Sequence, residues 1–177
     1  MQATRTAAKT AAPSQATNTR LRDILLLIGQ LNYTWTNSES LLIHMIAGLA
    51  RVDKETAIVI FLTLNTTRAR IDLVERLTKM RKTAPACRKE ILEATHRLSD
   101  EAKLRNKYNH CIYSFDPDSG RNVTQSMRIF ESRDEIKYGK IEELDAREIG
   151  RIRESINSLV AINRMFWDIT ERYGFPT

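Results

Sequence analysis

Cysteine is scarce in this chain. Cys87 and Cys111 are the only two, and they show neither the CxxC spacing of a zinc or redox site nor the number that a disulfide framework needs. Reduced, intracellular thiols are the expectation. Long hydrophobic runs are also missing, and a stretch such as Ile24 to Ile28 is far too short to cross a bilayer. No GxxxxGK or GxGxxG loop is present to cradle phosphates, and no GxSxG elbow could expose a hydrolase serine. Histidine is limited to His44, His96 and His110, which fall at no recognised metal spacing with the cysteines. No cofactor or metal is called for by these patterns.

What is present fits one soluble domain. A chain of 177 residues can bury well over half of the surface its unfolded form exposes, and 42% hydrophobic with 28% charged content is ordinary for a globular protein. Residues 1–19 are rich in Ala and Thr, hold no acid and carry only Arg5 and Lys9, so a disordered arm is expected there. The composition would also suit an organelle transit peptide, but no apolar core follows the basic residues as a secretory signal requires. Residues 20–177 then form the single domain, with a cytoplasmic setting and no membrane partner.

Helical periodicity organises most of that domain. Ile24, Ile28, Leu31, Trp35, Leu42 and Ile46 fall on one stripe of a helix expected from about Thr19 to Ala50. Glu39 shares the stripe, so it sits either at the rim of the core or against a cation such as Arg105. A second helix is predicted from about Lys54 to Met80, with Asp53 as its cap and Ile60, Leu64, Ile71, Val74 and Leu77 facing inward. Thr83 and Pro85 mark a break, and a third helix runs from about Ala86 toward Asn106 or beyond.

After His110 the pattern turns β-prone. Ile112 to Phe115 reads as a strand, Asp116 to Gly120 as a strong turn, and Val123 to Phe130 as the returning strand, with a short third strand near Lys140 to Glu142. Asp145 and Glu148 fit a capping box in its Asp form for a last helix. It continues through Ile149, Ile152, Ile156, Leu159, Val160, Ile162, Phe166 and Ile169 and stops near Tyr173-Gly174. Trp35 and Trp167 read as core anchors, and Met165 to Trp167 as packing. The fold class is mainly α, a four-helix up-down bundle with a small β-hairpin inserted before the last helix.

The chemistry concentrates in Arg105-Asn106-Lys107-Tyr108-Asn109-His110. A guanidinium is permanently charged and can hold phosphate oxygens, while an imidazole can move protons near neutral pH. Together they suit phosphodiester cleavage without a metal. On an unbroken helix, residues five apart are separated by about 140°, whereas Asn106 and His110 share a face. Either the helix unwinds near Asn109, or a second copy of the chain completes the site across a twofold axis.

Arg105, a polar residue after it and His110 after four intervening positions resemble the signature of the HEPN domain superfamily of helical bundles, in the expected place near the end of the third helix. The resemblance extends over the helical order from about Arg20 to Tyr173. It implies a metal-independent endoribonuclease or RNA-binding effector, of toxin or antiviral-defence type, that works as a homodimer with a composite site. His110 would assist attack of a ribose 2′-hydroxyl, Arg105 would stabilise charge on the nonbridging oxygens, and Asn106 would orient the imidazole or contact substrate. Members paired with a nucleotidyltransferase antitoxin carry a tyrosine two positions beyond the histidine. Here that position is Ile112 and the tyrosine is Tyr113, one later, which argues against neutralisation of this tyrosine by nucleotidylation. An antitoxin or regulatory protein is an expected partner all the same.

Three further residues are candidates for supporting roles: Glu39, Tyr108, which packs or stacks a base, and Tyr113. Eight basic residues stand between Arg68 and Lys89 against only Asp72 and Glu75, a candidate phosphate footprint or a solvated helix face. Arg68, Arg70, Arg76, Lys79, Arg81 and Lys82, with Lys107, are the RNA-binding candidates. The rival reading is a noncatalytic module that dimerises or binds a partner protein, with Arg105 and His110 bracing the helix–hairpin junction, against Glu39 or Asp116 for instance.

Overall fold

A computed structural model describes residues 15–115 and 121–177. It is mainly helical, with a small antiparallel sheet before the last helix. The first helix, α1 (Gln15–Ser40), begins earlier than expected and is followed after Leu41 by α2 (Leu42–Ala50). Residues 1–14, with most of the expected arm, lie outside the described residues. The expected single helix is thus divided, although Leu41 itself keeps right-handed helical angles and the stripe carries across the division. Ile24, Leu31, Trp35, Leu42 and Ile46 are all buried.

The expected second helix is also two, α3 (Lys54–Thr63) and α4 (Thr67–Thr78). Leu64 and Thr66 are extended between them, and the Thr66 hydroxyl accepts from Ala69 N–H at 3.1 Å to cap α4. A hydroxyl in this short polar stretch gives the backbone a capping bond in place of a continued helix. Asp53 caps α3, as expected, by accepting from Thr56 N–H at 2.8 Å. The break changes which residues of α3 face the core: Ala57 and Phe61 are buried, and Ile60 and Leu64 only partly so.

The long helix α5 (Pro85–Asn109) opens with proline in its first turn, where the missing N–H costs nothing. It runs antiparallel to α6 (Ala146–Arg172), since Arg172 pairs with Glu90, Ser155 bonds Glu101 and Tyr108 reaches Glu148. Gly174, at φ +61°, ends α6 in the left-handed conformation that glycine adopts freely, and Phe175 N–H then returns to Thr170 O at 2.9 Å. One cavity takes residues 23–30 with 149–153 and another 33–41 with 160–167, so α1 and α6 run parallel and share a seam.

The insertion is larger than a hairpin. Strands β1 (Cys111–Phe115), β2 (Asn122–Ser126) and β5 (Ile141–Glu143) form a sheet in the order β1-β2-β5, with Cys111 opposite Ser126 and Phe115 opposite Asn122. The expected turn at 116–120 lies outside the described residues. The strand expected over Val123 to Phe130 is divided: β2 ends at Ser126, and β3 (Ile129–Glu131) pairs instead with β4 (Ile136–Tyr138) in a separate ribbon. Close approach at Gly139 explains the return to the sheet, because a Cβ there would collide with the Ser126 carbonyl.

Candidate active site on the last turn of α5

The helix α5 stays hydrogen-bonded through Asn109, and His110 forms its C-cap at φ −120° and ψ 45°, with its N–H on Asn106 O at 3.2 Å. The chain therefore does not unwind ahead of His110. No hydrogen bond joins Arg105 to His110, and the last turn presents distinct faces. Arg105 and Asn109 turn toward α1, Lys107 and Tyr108 toward β5 and α6, and Asn106 and His110 occupy the sector between.

Arg105 is fastened by neutral groups. Its guanidinium carbon lies 5.4 Å from the centroid of the Trp35 ring, and Nη1 donates to Asn106 Oδ1 at 3.0 Å. With the amide oxygen of Asn109 turned to the guanidinium, Nε and Nη2 donate to it at 3.0 and 3.1 Å, and Asn109 Nδ2 donates to Asn32 Oδ1 at 2.6 Å. Among the described residues no carboxylate reaches this cation. The imidazole of His110 is exposed and has no hydrogen-bond partner among them, while its carbonyl accepts from Met127 N–H at 2.9 Å and ties the motif to the sheet.

Glu39 is buried, and its partner is Arg70 rather than Arg105. Arg70 Nη1 donates to Oε1 at 2.9 Å, Thr67 Oγ1 donates to the same oxygen at 2.6 Å, and Trp35 Nε1 donates to Oε2 at 3.0 Å. Arg70 also lies over the Phe61 ring at 4.1 Å and donates to Phe61 O. The break before α4 is the reason, because it brings the first turns of α4 against Glu39. Trp35 thus contacts both systems, with its indole N–H on the Glu39 carboxylate and its ring beside Arg105.

On the other face of α5, Glu148 gathers three donors. Lys107 Nζ and Tyr108 Oη each lie 2.7 Å from Oε2, and Arg151 Nη1 lies 2.7 Å from Oε1. Burial would raise this carboxyl, but the bonds from Lys107, Tyr108 and Arg151 outweigh it and bring the pKa down to about 2. Only the Asp145 half of the expected capping box forms, since Asp145 accepts from Glu148 N–H at 2.8 Å while the Glu148 side chain turns to Lys107. Lys107 also pairs with Glu142 at 2.9 Å. Tyr108 is buried, and burial together with its bond to Glu148 pushes its hydroxyl pKa up. Tyr113 Oη donates to Tyr108 O at 2.7 Å, which joins β1 to the end of α5.

The basic strip is dispersed. Arg70 is turned inward, and Arg68 pairs with Asp72 at 2.9 Å on the surface. Arg76, Lys79, Arg81 and Lys82 are exposed around the end of α4, and Arg88 Nε is spent on Thr78 O at 2.8 Å. That end of α4 abuts the start of α5, so Arg88 and Arg105 are separated by roughly 26 Å along the helix. His44 and His96 take no part in the motif: His44 Nδ1 lies 2.7 Å from Pro176 O, and His96 lies 3.6 Å from Glu75.

Sequence reasoning missed Asn109 and Asn32. Their signals are legible in retrospect, since Asn109 stands one helical turn from Arg105, and Asn32 is an amide between Ile28 and Trp35 beside the apolar stripe of α1. Trp35 is a fully buried anchor as expected, but Trp167 is 44% exposed and packs against His44 at 5.3 Å between ring centroids. Among the described residues no helix is long and apolar enough to cross a membrane. Comparison with protein-family models, curated proteins and solved structures gives no match for this chain.

Proposed function

We propose that the chain is a metal-independent endoribonuclease or RNA-binding effector, of toxin or defence type, in which Arg105, Asn106 and His110 serve a composite site completed by a second copy. The observation that carries this reading is the electrostatic state of Arg105. Its guanidinium is held in place by amide oxygens and an indole face, with no carboxylate among the described residues to neutralise it. A cation positioned by neutral groups retains its charge for an incoming anion, and a phosphodiester is the anion that the exposed imidazole of His110 in the same motif suits.

The chemistry is in-line transfer. One His110 imidazole takes the proton of a ribose 2′-hydroxyl as its oxygen attacks phosphorus, and the P–O5′ bond breaks to leave a 2′,3′-cyclic phosphate. A second imidazole, from the partner copy, protonates the departing 5′-oxygen. Arg105 stabilises the charge that builds on the nonbridging oxygens, and Asn106 keeps the guanidinium toward the sector that His110 occupies. Within one chain the two side chains lie on different helical sectors, which is why two copies are invoked. Exposed apolar side chains flank His110 at Ile112 and Met127, and Leu25 lies exposed on α1, an arrangement that suits a twofold contact beside the motif. Arg70, Lys107, Tyr108 and Tyr113 are held in internal bonds and act through structure. Arg76, Lys79, Arg81 and Lys82 remain as exposed cations for the RNA backbone.

The test is incubation of purified protein with labelled RNA in EDTA, beside His110→Ala, with analysis of the cut ends and of oligomeric state. Cleavage that leaves 2′,3′-cyclic phosphate and is lost in the variant is the expected result. A folded protein that cuts no RNA would turn the reading to a noncatalytic binding module in which the motif braces the junction of α5 with the sheet.

A further inference from the structure

Two exposed aromatic side chains, Tyr33 at 74% and Trp167 at 44%, line one cavity of about 420 Å³ in the seam between α1 and α6. Packing does not account for their exposure. The helix α6 buries Phe166, and the next position, about 100° round the axis, is turned out of the core. Trp167 is nonetheless held, because one neighbour of its ring is His44, whose own ring is fixed by the contact of Nδ1 with Pro176 O at 2.7 Å. An indole supported from one side and open on another is a ready stacking surface.

The polar groups of the cavity point the same way. Arg164 and the side-chain amide of Asn37 line it with no hydrogen bond or ion pair among the described residues, and the Tyr33 hydroxyl is likewise unspent. Asp168 stands one turn beyond Arg164 on α6 but does not line the cavity and makes no ion pair with it. Among the described residues the lining therefore carries one cation and no acid, which favours an anionic occupant. Aromatic faces, a guanidinium and an amide with both donor and acceptor are what an unstacked nucleobase and its phosphate require. A cavity of this volume is within the range of small-molecule sites.

We infer that this seam seats one unstacked base of single-stranded RNA between Tyr33 and Trp167, with Arg164 on an adjacent phosphate and Asn37 on the base edge. Tyr33 adjoins Asn32, whose amide pairs with Asn109 at the motif, so the seam lies around α1 from Arg105. A base held here fixes which phosphodiester can reach Arg105 and His110. The inference rests on the RNA reading of that site for its ligand.

The experiment uses tryptophan fluorescence, because Trp35 is buried and Trp167 is exposed, so quenching by a stacked base reports on Trp167. A short mixed-sequence single-stranded RNA is titrated into the wild type, Tyr33→Ala and Arg164→Ala, with oligomeric state followed throughout. The expected result is quenching in the wild type and weakening of about tenfold in Tyr33→Ala and Arg164→Ala. RNA binding without quenching, equal in the seam variants and the wild type, would overturn the seam proposal and leave the RNA reading of the motif standing. A change of oligomeric state in the seam variants, with RNA affinity unaltered, would assign the groove to a protein partner and overturn it. Absence of any RNA binding by the folded wild type would overturn both. Tyr33 and Arg164 are exposed, so their variants keep the test independent of any folding defect in Trp167→Ala.

Discussion

Arg70 and Arg105 both belong to systems that touch Trp35, but they are held in opposite ways. Arg70 faces the carboxylate of Glu39, which also takes hydrogen bonds from Thr67 and the Trp35 indole. Arg105 meets the same tryptophan at its ring and, among the described residues, finds only the amides of Asn106 and Asn109. A buried cation with a carboxylate partner is closed electrostatically, and removing either partner leaves a desolvated charge. A cation fastened by neutral dipoles keeps its field and can receive an anion without first breaking an ion pair. Position in the bundle does not separate these two arginines; the charge of their neighbours does.

The largest test of this contrast is Glu39→Ala. It strands the Arg70 guanidinium, the Trp35 N–H and the Thr67 hydroxyl together, and urea unfolding should show a loss of about 3–5 kcal/mol. A loss under about 1 kcal/mol would mean that the Arg70 pair is as dispensable as a surface contact, and the comparison would fail.

Lys107 supplies a third case, a cation compensated twice. The Glu148 carboxyl titrates near 2 in the folded chain against an ordinary 4.5, so its ionised form stabilises the fold above about pH 4.5, and that contribution disappears as pH falls toward 2. Unfolding midpoints of wild type and Glu148→Gln should therefore differ by on the order of 2 kcal/mol at neutral pH and converge near pH 2. A difference that persists at low pH would point to packing rather than charge.

Arg105→Ala should shift stability by no more than about 1 kcal/mol, since it removes one cation–π contact and bonds to partly hydrated amides. RNA binding or cleavage should nonetheless be lost. A drop of about 3 kcal/mol with RNA activity retained would make Arg105 a brace like Arg70. The smallest effect is expected for Arg68→Ala, whose exposed pair with Asp72 should contribute no more than about 0.5 kcal/mol by thermal or urea unfolding.

Much of this was legible in the chain. The stripes of α1 and α6, the Asp53 and Asp145 caps, Pro85 at the head of α5 and the β-prone insertion follow from local rules, because period, capping and turn chemistry act over a few residues. The break at Leu64 to Thr66 was not legible, since β-branched and apolar residues there continue a plausible helical period and only the Thr66 cap ends it. The partner of Glu39 was missed for the same reason. An unbroken second helix offers no means of bringing Arg70 to it, which leaves the rim of the core or a cation such as Arg105 as the expectation. Trp167 was misjudged because a one-residue step on a helix turns a side chain out of the core, and stripe arithmetic does not resolve that step.

The sequence alone determined a mainly helical chain with a β insertion before its last helix and, from Arg105 to His110, a stretch where a guanidinium, an amide and an imidazole stand close along the backbone. Those are consequences of short-range covalent spacing. Tertiary structure decided which cations are neutralised and which remain open, and it set Tyr33 and Trp167 around one cavity. Charge compensation and cavities depend on groups far apart in the chain, and only packing brings those groups within a few ångströms.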